Sequence, residues 1–318
     1  MTILIFVLST VLVATLILFG LTRYQDKALM NRFPPVGHFT QVSGGNIHWT
    51  VSGSGPSLVL VHGLAGNIHN FRALETQLAK SFTVYCLDRP GSGHSHRAFA
   101  TSPDFSNQAK MLLEWMDKEA ISDAIFVGHS MGGAISLNLA LQASSRVRGL
   151  ALISPLVAPL NIKPSKSMKF VMRSRLLRLL IAKTLAFVFN KRHGRRQVNA
   201  IFKPEPVNAE FGTEFGGALA LYSCAFLAAS GDLSVAQMNL REQIKHYHEI
   251  KCPVSVLYGD GDRILSCEHQ TTAMQQALKS VDIRVLPKRG HMLPITAVEE
   301  CLEMIKTVHL LNEKRLAG

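Results

Sequence analysis

Charge is missing from the start of this chain and acid is missing from its middle. From Ile3 to Leu21 there is no Asp, Glu, Lys or Arg, and from Lys163 to Lys203 twelve Lys or Arg occur without one Asp or Glu. Cysteine is sparse. Cys86, Cys224, Cys252, Cys267 and Cys301 are odd in number, scattered and in no paired motif, which argues against a disulfide framework or a redox centre and suits the cytoplasm. Aromatic residues make up only 7% of the chain, and no aromatic platform or recognised binding motif accompanies the basic stretch, so nucleic acid is not an expected partner. His246 and His248 lie in a polar helical stretch without a cysteine or carboxylate at ligand spacing, and no metal or organic cofactor is expected.

The charge-free run also lacks what a cleaved leader needs. Met1-Thr2 offers no basic side chain, no small-x-small cleavage site follows, and there is no lipobox cysteine. Its nineteen residues, at ~1.5 Å each, match a hydrocarbon layer of ~30 Å, and they lack the amphipathic pattern of a core helix. The expectation is an uncleaved single span over residues 1–22, then a polar tether over 23–35 ending at Pro34-Pro35, then one folded domain over 36–318. Arg23, Lys27 and Arg32 flank the C-terminal end of the span and so lean the domain towards the cytoplasmic side.

The most specific signal is Gly128-His129-Ser130-Met131-Gly132, directly after the apolar run Ala124-Ile125-Phe126-Val127. It reads as a strand, a sharp turn and a helix from Met131 to Ala143. A serine on such a turn stands clear of the sheet edge, and the glycines two residues to either side allow strand and helix to pack closely. In that context the pattern is a nucleophile elbow with Ser130 as nucleophile. The backbone N–H of Met131, at a helix N-terminus, is then one oxyanion donor. His129 reads as a packing residue. A serine hydroxyl needs a base, and the base needs an orienting group.

Further along, the strand Val254 to Tyr258 runs into Gly259-Asp260-Gly261-Asp262-Arg263, then come a helical stretch from Cys267 to Lys279, a strand from Asp282 to Leu286, and Lys288-Arg289-Gly290-His291. Either Asp260 or Asp262 could serve as the acid on the residues alone. From about Gly37 to its end the chain resembles the α/β-hydrolase superfamily, whose order is Ser, acid, His. The resemblance implies a doubly wound, mostly parallel α/β sheet without cofactor. It puts the acid on Asp262, the base on His291, and the second oxyanion donor on the N–H of Leu64 in His62-Gly63-Leu64-Ala65-Gly66, after the strand Leu58 to Val61. Asp88-Arg89-Pro90-Gly91-Ser92-Gly93-His94-Ser95, after the strand Thr83 to Leu87, reads as architecture rather than chemistry.

Between the strand Gly149–Ser154 and Val254 lies an insertion, about residues 156–250, mainly helical and including Leu176 to Phe189 and Gly217 to Ala229. In similar proteins this position holds a cap over the active site. The basic stretch falls inside it and equals the chain's whole excess of 34 basic over 22 acidic residues. A basic, apolar helical stretch on a tethered protein suggests contact with anionic lipid; Arg175 and Arg178 project away from its stripe of Lys166, Lys169 and Arg173. The expected activity is a membrane-bound serine esterase, lipase or phospholipase acting on lipid-derived esters. Acyl transfer and C–C bond hydrolysis use the same triad and remain open, whereas a non-enzymatic scaffold would carry a broken one. Dehalogenases and epoxide hydrolases similar to this chain are excluded by serine at the elbow, where they carry aspartate.

Overall fold

The computed structural model describes residues 1–160 and 166–317; Lys163 lies outside the described residues, as do the side chains of Lys166 and Lys169. The chain opens with helix α1 (Thr2–Arg32), followed by β1 (His38–Val42), β2 (Gly45–Ser52) and β3 (Ser57–Val61). Next come α2 (Arg72–Leu78), β4 (Thr83–Leu87), the short β5 (His96–Arg97), α3 (Phe105–Lys118), β6 (Ala124–His129), α4 (Met131–Gln142) and β7 (Val147–Ile153). Four helices separate β7 from the next strand: α5 (Lys166–Arg173), α6 (Arg175–Thr184), α7 (Ala186–Phe202) and α8 (Ser223–Gln243). The chain ends with β8 (Val254–Gly259), α9 (Cys267–Ala277), β9 (Asp282–Leu286), α10 (Leu293–Thr296) and α11 (Val298–Ala317).

The described residues build one sheet in the order β1-β2-β4-β3-β6-β7-β8-β9, with β5 paired to the edge of β2. β1 and β2 are antiparallel to their neighbours, and every pairing from β4 to β9 is parallel. This is an α/β-hydrolase fold. The central strands read Leu-Val-Leu-Val in β3 and Ala-Ile-Phe-Val in β6 because parallel strands are covered on both faces and have no solvent side to make polar. One face packs on α3 and α4 around Trp115, and the other on α2 and α11 around Phe71 and Ile305. The chain leaves β3 for β4 on one side and returns to β6 on the other. That reversal opens a crevice at the carboxyl ends of the strands, which is where such sheets place ligands.

Several expected elements come out longer or divided. The single helical run expected from Leu176 to Phe189 is two helices, α6 capped by the Ser174 hydroxyl on the Leu177 N–H and α7 restarting at Ala186. Gly217–Leu221 is a 3-10 turn and the helix proper starts at Ser223, because Gly216 adopts φ 66° and turns the chain. Arg23 to Arg32, expected as part of a tether, continues the helix, and from Thr22 on the helix is docked. The Thr22 hydroxyl donates to the Thr184 carbonyl (3.4 Å), and Asp26 accepts from the Ser223 N–H (2.9 Å) and hydroxyl (2.6 Å). Before Thr22 the helix stands free, with its apolar side chains exposed.

Candidate active site

Ser130 lies between the last residue of β6 and the first turn of α4. Its backbone takes φ 53° and ψ −120°, a conformation an L-residue avoids. Three main-chain hydrogen bonds impose it. The Ser130 N–H donates to Ile153 O (3.0 Å), and its carbonyl accepts from Gly133 N–H and Leu156 N–H (2.9 Å each). The flanking glycines are required by contact: a Cβ at Gly132 would meet Val61 O at 2.0 Å, and one at Gly128 would meet the Gly133 Cα at 2.7 Å. β6, β7 and the start of the insertion therefore jointly hold the turn. Ser130 is 8% exposed.

His291 and Asp262 come from the loops after β9 and β8. His291 Nδ1 lies 2.6 Å from Asp262 Oδ2, and both side chains are nearly or fully buried. The other carboxylate oxygen, Oδ1, accepts from the N–H groups of Ile264 (2.7 Å) and Leu265 (3.0 Å). Burial alone would raise the Asp262 carboxyl, but the facing imidazole and these two N–H groups outweigh it and hold the pKa below the usual carboxylate value. Asp260 is exposed and accepts the Lys288 N–H (2.6 Å), which closes the loop. Of the two candidate acids, only Asp262 reaches the imidazole.

The Ser130 hydroxyl makes no hydrogen bond to His291; its chain neighbour His129 packs on the His291 ring. The His129 ring lies 5.0 Å from that of His291, centroid to centroid, and its Nε2 donates to the His291 carbonyl (3.0 Å). Burial, reinforced by neighbouring His291, pushes His129 down to about 3, so this brace is a neutral imidazole.

The other wall is the loop from His62 to Gly66. A side chain at Gly63 would meet the Ser130 Cβ at 3.0 Å, so the loop lies directly against the elbow. Among the described residues neither the Leu64 N–H nor the Met131 N–H donates to another protein group, which leaves both free for an oxyanion. His62 fixes the loop's shape. Its Nε2 accepts the Arg89 N–H (2.9 Å), so the proton sits on Nδ1 and is donated to Gly63 O (2.8 Å). Burial first, then the Arg89 charge, lowers His62 to about 4 and keeps it neutral. The Arg89 side chain donates to the same Gly63 carbonyl (3.2 Å) and pairs with Asp232 of α8 (3.0 Å); Asp232 also binds Arg97 (2.8 Å). Asp88 accepts the N–H groups of Ile68 (2.9 Å) and His94 (2.8 Å), which ties the two loops together in the architectural role expected for its segment.

Sequence reasoning missed the clamps that the insertion applies to both loops. Glu205, between α7 and α8, accepts the Gly290 N–H (2.7 Å), pairs with Arg289 (2.8 Å) and takes the Thr296 hydroxyl (3.2 Å). The His291 N–H itself donates to Ile201 O at the end of α7 (3.2 Å). On the other side Asn67 and Asn70 donate to Gly216 O (2.9 Å) and Phe215 O (2.7 Å). A usable signal existed for Asp232, the one acidic residue in the apolar stretch Ala225 to Met238; Glu205, between Pro204 and Pro206 on an irregular segment, gave none.

Comparison with known proteins gives the geometry its context. The family model described as alpha/beta hydrolase fold matches residues 56–298. Among curated proteins, the chain is similar to the dihydrolipoyllysine-residue acetyltransferase component of the acetoin cleaving system of Pseudomonas putida, 29% identical over 268 residues, covering 84% of this chain and 67% of that protein. It is also similar to the pimeloyl-[acyl-carrier protein] methyl ester esterase of Vibrio atlanticus, 38% identical over 108 residues, 34% of this chain and 40% of that one. It spans about a third of the length of other curated relatives that it matches. Among solved structures, a membrane phospholipase A described as a bacterial virulence factor superposes with a TM-score of 0.67 at 21% identity, over 97% of both chains. At that identity the likeness is one of fold.

Proposed function

The chain belongs to the alpha/beta hydrolase family, and on that premise we propose that it is a serine hydrolase of lipid-derived carboxylic esters, held to a membrane by α1. Ser130 is the nucleophile, His291 the base and Asp262 its orienting group. The observation that carries this reading is the buried Asp262–His291 pair beside a serine whose backbone is held in a strained turn. Ser130 Oγ attacks the ester carbonyl carbon and passes its proton to His291 Nε2. The carbonyl oxygen becomes an oxyanion that accepts the Leu64 and Met131 N–H groups, and Asp262 stabilises the imidazolium. As the tetrahedral species collapses, the imidazolium gives its proton to the departing alcohol. Water then cleaves the acyl-enzyme by the same steps in reverse order. The insertion over about residues 156–250 acts as the cap.

The membrane half of the proposal has two supports. The free part of α1 is apolar and long enough to span a bilayer; Leu176 and Leu180 are exposed on α6, against which the last third of α1 packs, and Leu185, Val188 and Phe189 are exposed just after it. An apolar exposed surface of that kind, rimmed by basic residues, suits an interface with anionic lipid and hence a lipid ester substrate. Arg23, Lys27 and Arg32 after the span lean the proposal towards a cytoplasmic catalytic part, by the positive-inside tendency.

Ser130→Ala is the decisive variant. It should abolish covalent labelling by a fluorophosphonate and lower ester turnover by a factor on the order of 10⁴ to 10⁶, with the fold unchanged by circular dichroism. Residual hydrolysis above a tenth of wild type would overturn the assignment. Acyl transfer is the second reading, favoured by the similarity to the Pseudomonas putida acetyltransferase component. Product analysis with water and a competing alcohol in one reaction separates the two.

A further inference from the structure

A cavity of about 430 Å³ has none of Ser130, Asp262 or His291 in its lining. Its walls come from α6, the start of α8, the segment around β5 and the last turns of α1, which contribute Met30. Four cations line it: Arg97, Arg175, Arg178 and Lys183. Arg97 is paired with Asp232, whose carboxylate is already shared with Arg89. Among the described residues, no carboxylate lies within ion-pair distance of the other three cations.

Their hydrogen bonds leave them wanting an anion. Arg175 stacks on the Phe99 ring (4.2 Å to its centroid) and gives one nitrogen to the carbonyls of Ala98 (3.1 Å) and Thr101 (3.3 Å). Lys183 rests on the Ser223 hydroxyl (3.0 Å), and Asp26 reaches that same serine rather than the lysine. Arg178 is only 7% exposed; it donates one Nη to the Met172 carbonyl, and its buried Nε has no partner among the described residues. Burial first, and then the charges of neighbouring arginines, depress both Arg175 and Arg178. Converging, incompletely paired guanidinium groups match the tetrahedral oxygens of a phosphate, which they bind through paired N–H donors. The apolar part of the lining, Phe99, Leu179 and Leu227 among it, would accept the carbon attached to that phosphate.

The position of the cavity names the source. Thr22, the first residue after the apolar run, bonds to Thr184, so Lys183 stands at the end of that run. Met30 lies eight residues further along α1, or about 12 Å at the helical rise. If α1 spans a bilayer, as proposed above, the opening at Lys183 stands at the layer of lipid headgroups, which extends roughly 5–8 Å beyond the hydrocarbon. We propose that this cavity, built on Arg175, Arg178 and Lys183, binds the phosphate monoester headgroup of an anionic phospholipid. Arg175 and Arg178 thus turn inward to a pocket.

The test uses the full-length protein in detergent and a ligand with no carboxylic ester to hydrolyse, ether-linked dihexyl glycerophosphate, titrated by native mass spectrometry. Ether-linked dihexylglycerol and inorganic phosphate are the comparison ligands. One glycerophosphate should bind per chain, at least tenfold more tightly than either comparison ligand. Arg178→Gln and Arg175→Gln should each weaken it at least tenfold, while Arg195→Gln, an equal charge change on the exposed face of α7, should not. All three variants should hydrolyse a short soluble ester as wild type does. Should Arg178→Gln fail to fold, the partly exposed Arg175 and Lys183 carry the test. Unchanged affinity in the Arg175 and Lys183 variants would overturn the site, and inorganic phosphate binding as tightly as the lipid would overturn the headgroup as its ligand. Because detergent needs no bilayer and the probe has no carboxylic ester, this result stands apart from both the span and the esterase reading.

Discussion

Two carboxylates two residues apart, Asp260 and Asp262, have opposite fates because one loop turns between them. Asp260 faces solvent and caps the Lys288 N–H, whereas Asp262 turns inward to the imidazole. Asp262→Asn should lower ester turnover by about 10³ to 10⁴-fold, because an amide cannot hold His291 in the required tautomer. Asp260→Asn should cost less than tenfold. Reversed effects in steady-state assays would move the acid to Asp260. The depressed pKa of Asp262 adds a pH signature. A carboxyl held below its unfolded value, about 4, contributes stability that is present above that pH and lost as pH falls through the folded value. The melting temperature of Asp262→Asn should therefore lie below wild type at pH 7, and the gap should narrow below about pH 4. A gap that widens in acid would contradict the sign.

Loops after parallel strands are ordinarily the mobile parts of a sheet protein, yet here both site loops are pinned by the helical insertion. Glu205 is the stronger pin, since it meets the Gly290 N–H and the Arg289 guanidinium together, one residue from His291. It touches no reacting atom, so its role is to position. Glu205→Ala leaves the Gly290 N–H without its acceptor, which should cost about 1–3 kcal/mol of stability. Displacing His291 by a fraction of an ångström should also lower kcat by about 10 to 100-fold with KM little changed. Glu205→Gln, which can still accept the N–H, should recover most of the turnover. Loss of stability in Glu205→Ala without loss of kcat would show the clamp to be structural only.

At the scale of the whole molecule, α1 does two things. Its first two-thirds are bare and apolar, and its last third, from Thr22, is part of the folded body through Asp26, Ser223 and Thr184. A chain beginning at Thr22 should hydrolyse short soluble esters at close to the full-length rate but no longer partition with neutral vesicles on sedimentation. A chain beginning at Pro35 should behave likewise towards vesicles and, having lost the docked turns, also melt about 5 °C lower, which corresponds to roughly 3 kcal/mol in a domain of this size. Equal melting temperatures for the two shortened chains would show that the docking contributes nothing.

The parallel strands β3, β4 and β6 to β9 and the turn at Ser130 were legible in the chain itself, because each depends on local chemistry: apolar runs without a solvent face, glycines where packing forbids a Cβ, a serine between them; the order Ser, acid, His came from the resemblance to α/β-hydrolases, and β1, β2 and β5 were not read. The helical character of the insertion was legible in the same way, though not the break at Leu185 or the turn at Gly216, which depend on what the helices pack against. The choice between Asp260 and Asp262 could not be read from residues that look alike in sequence; it follows from which way the loop turns once β8 and β9 are paired. The same holds for Glu205, 86 residues before His291, and for the Arg89–Asp232 pair, 143 residues apart. Their partners are created by the insertion folding back over the sheet. Hydrophobic pattern and turn chemistry act over a few residues and so are written in local sequence, whereas a buried charge finds its partner only when distant segments close around it.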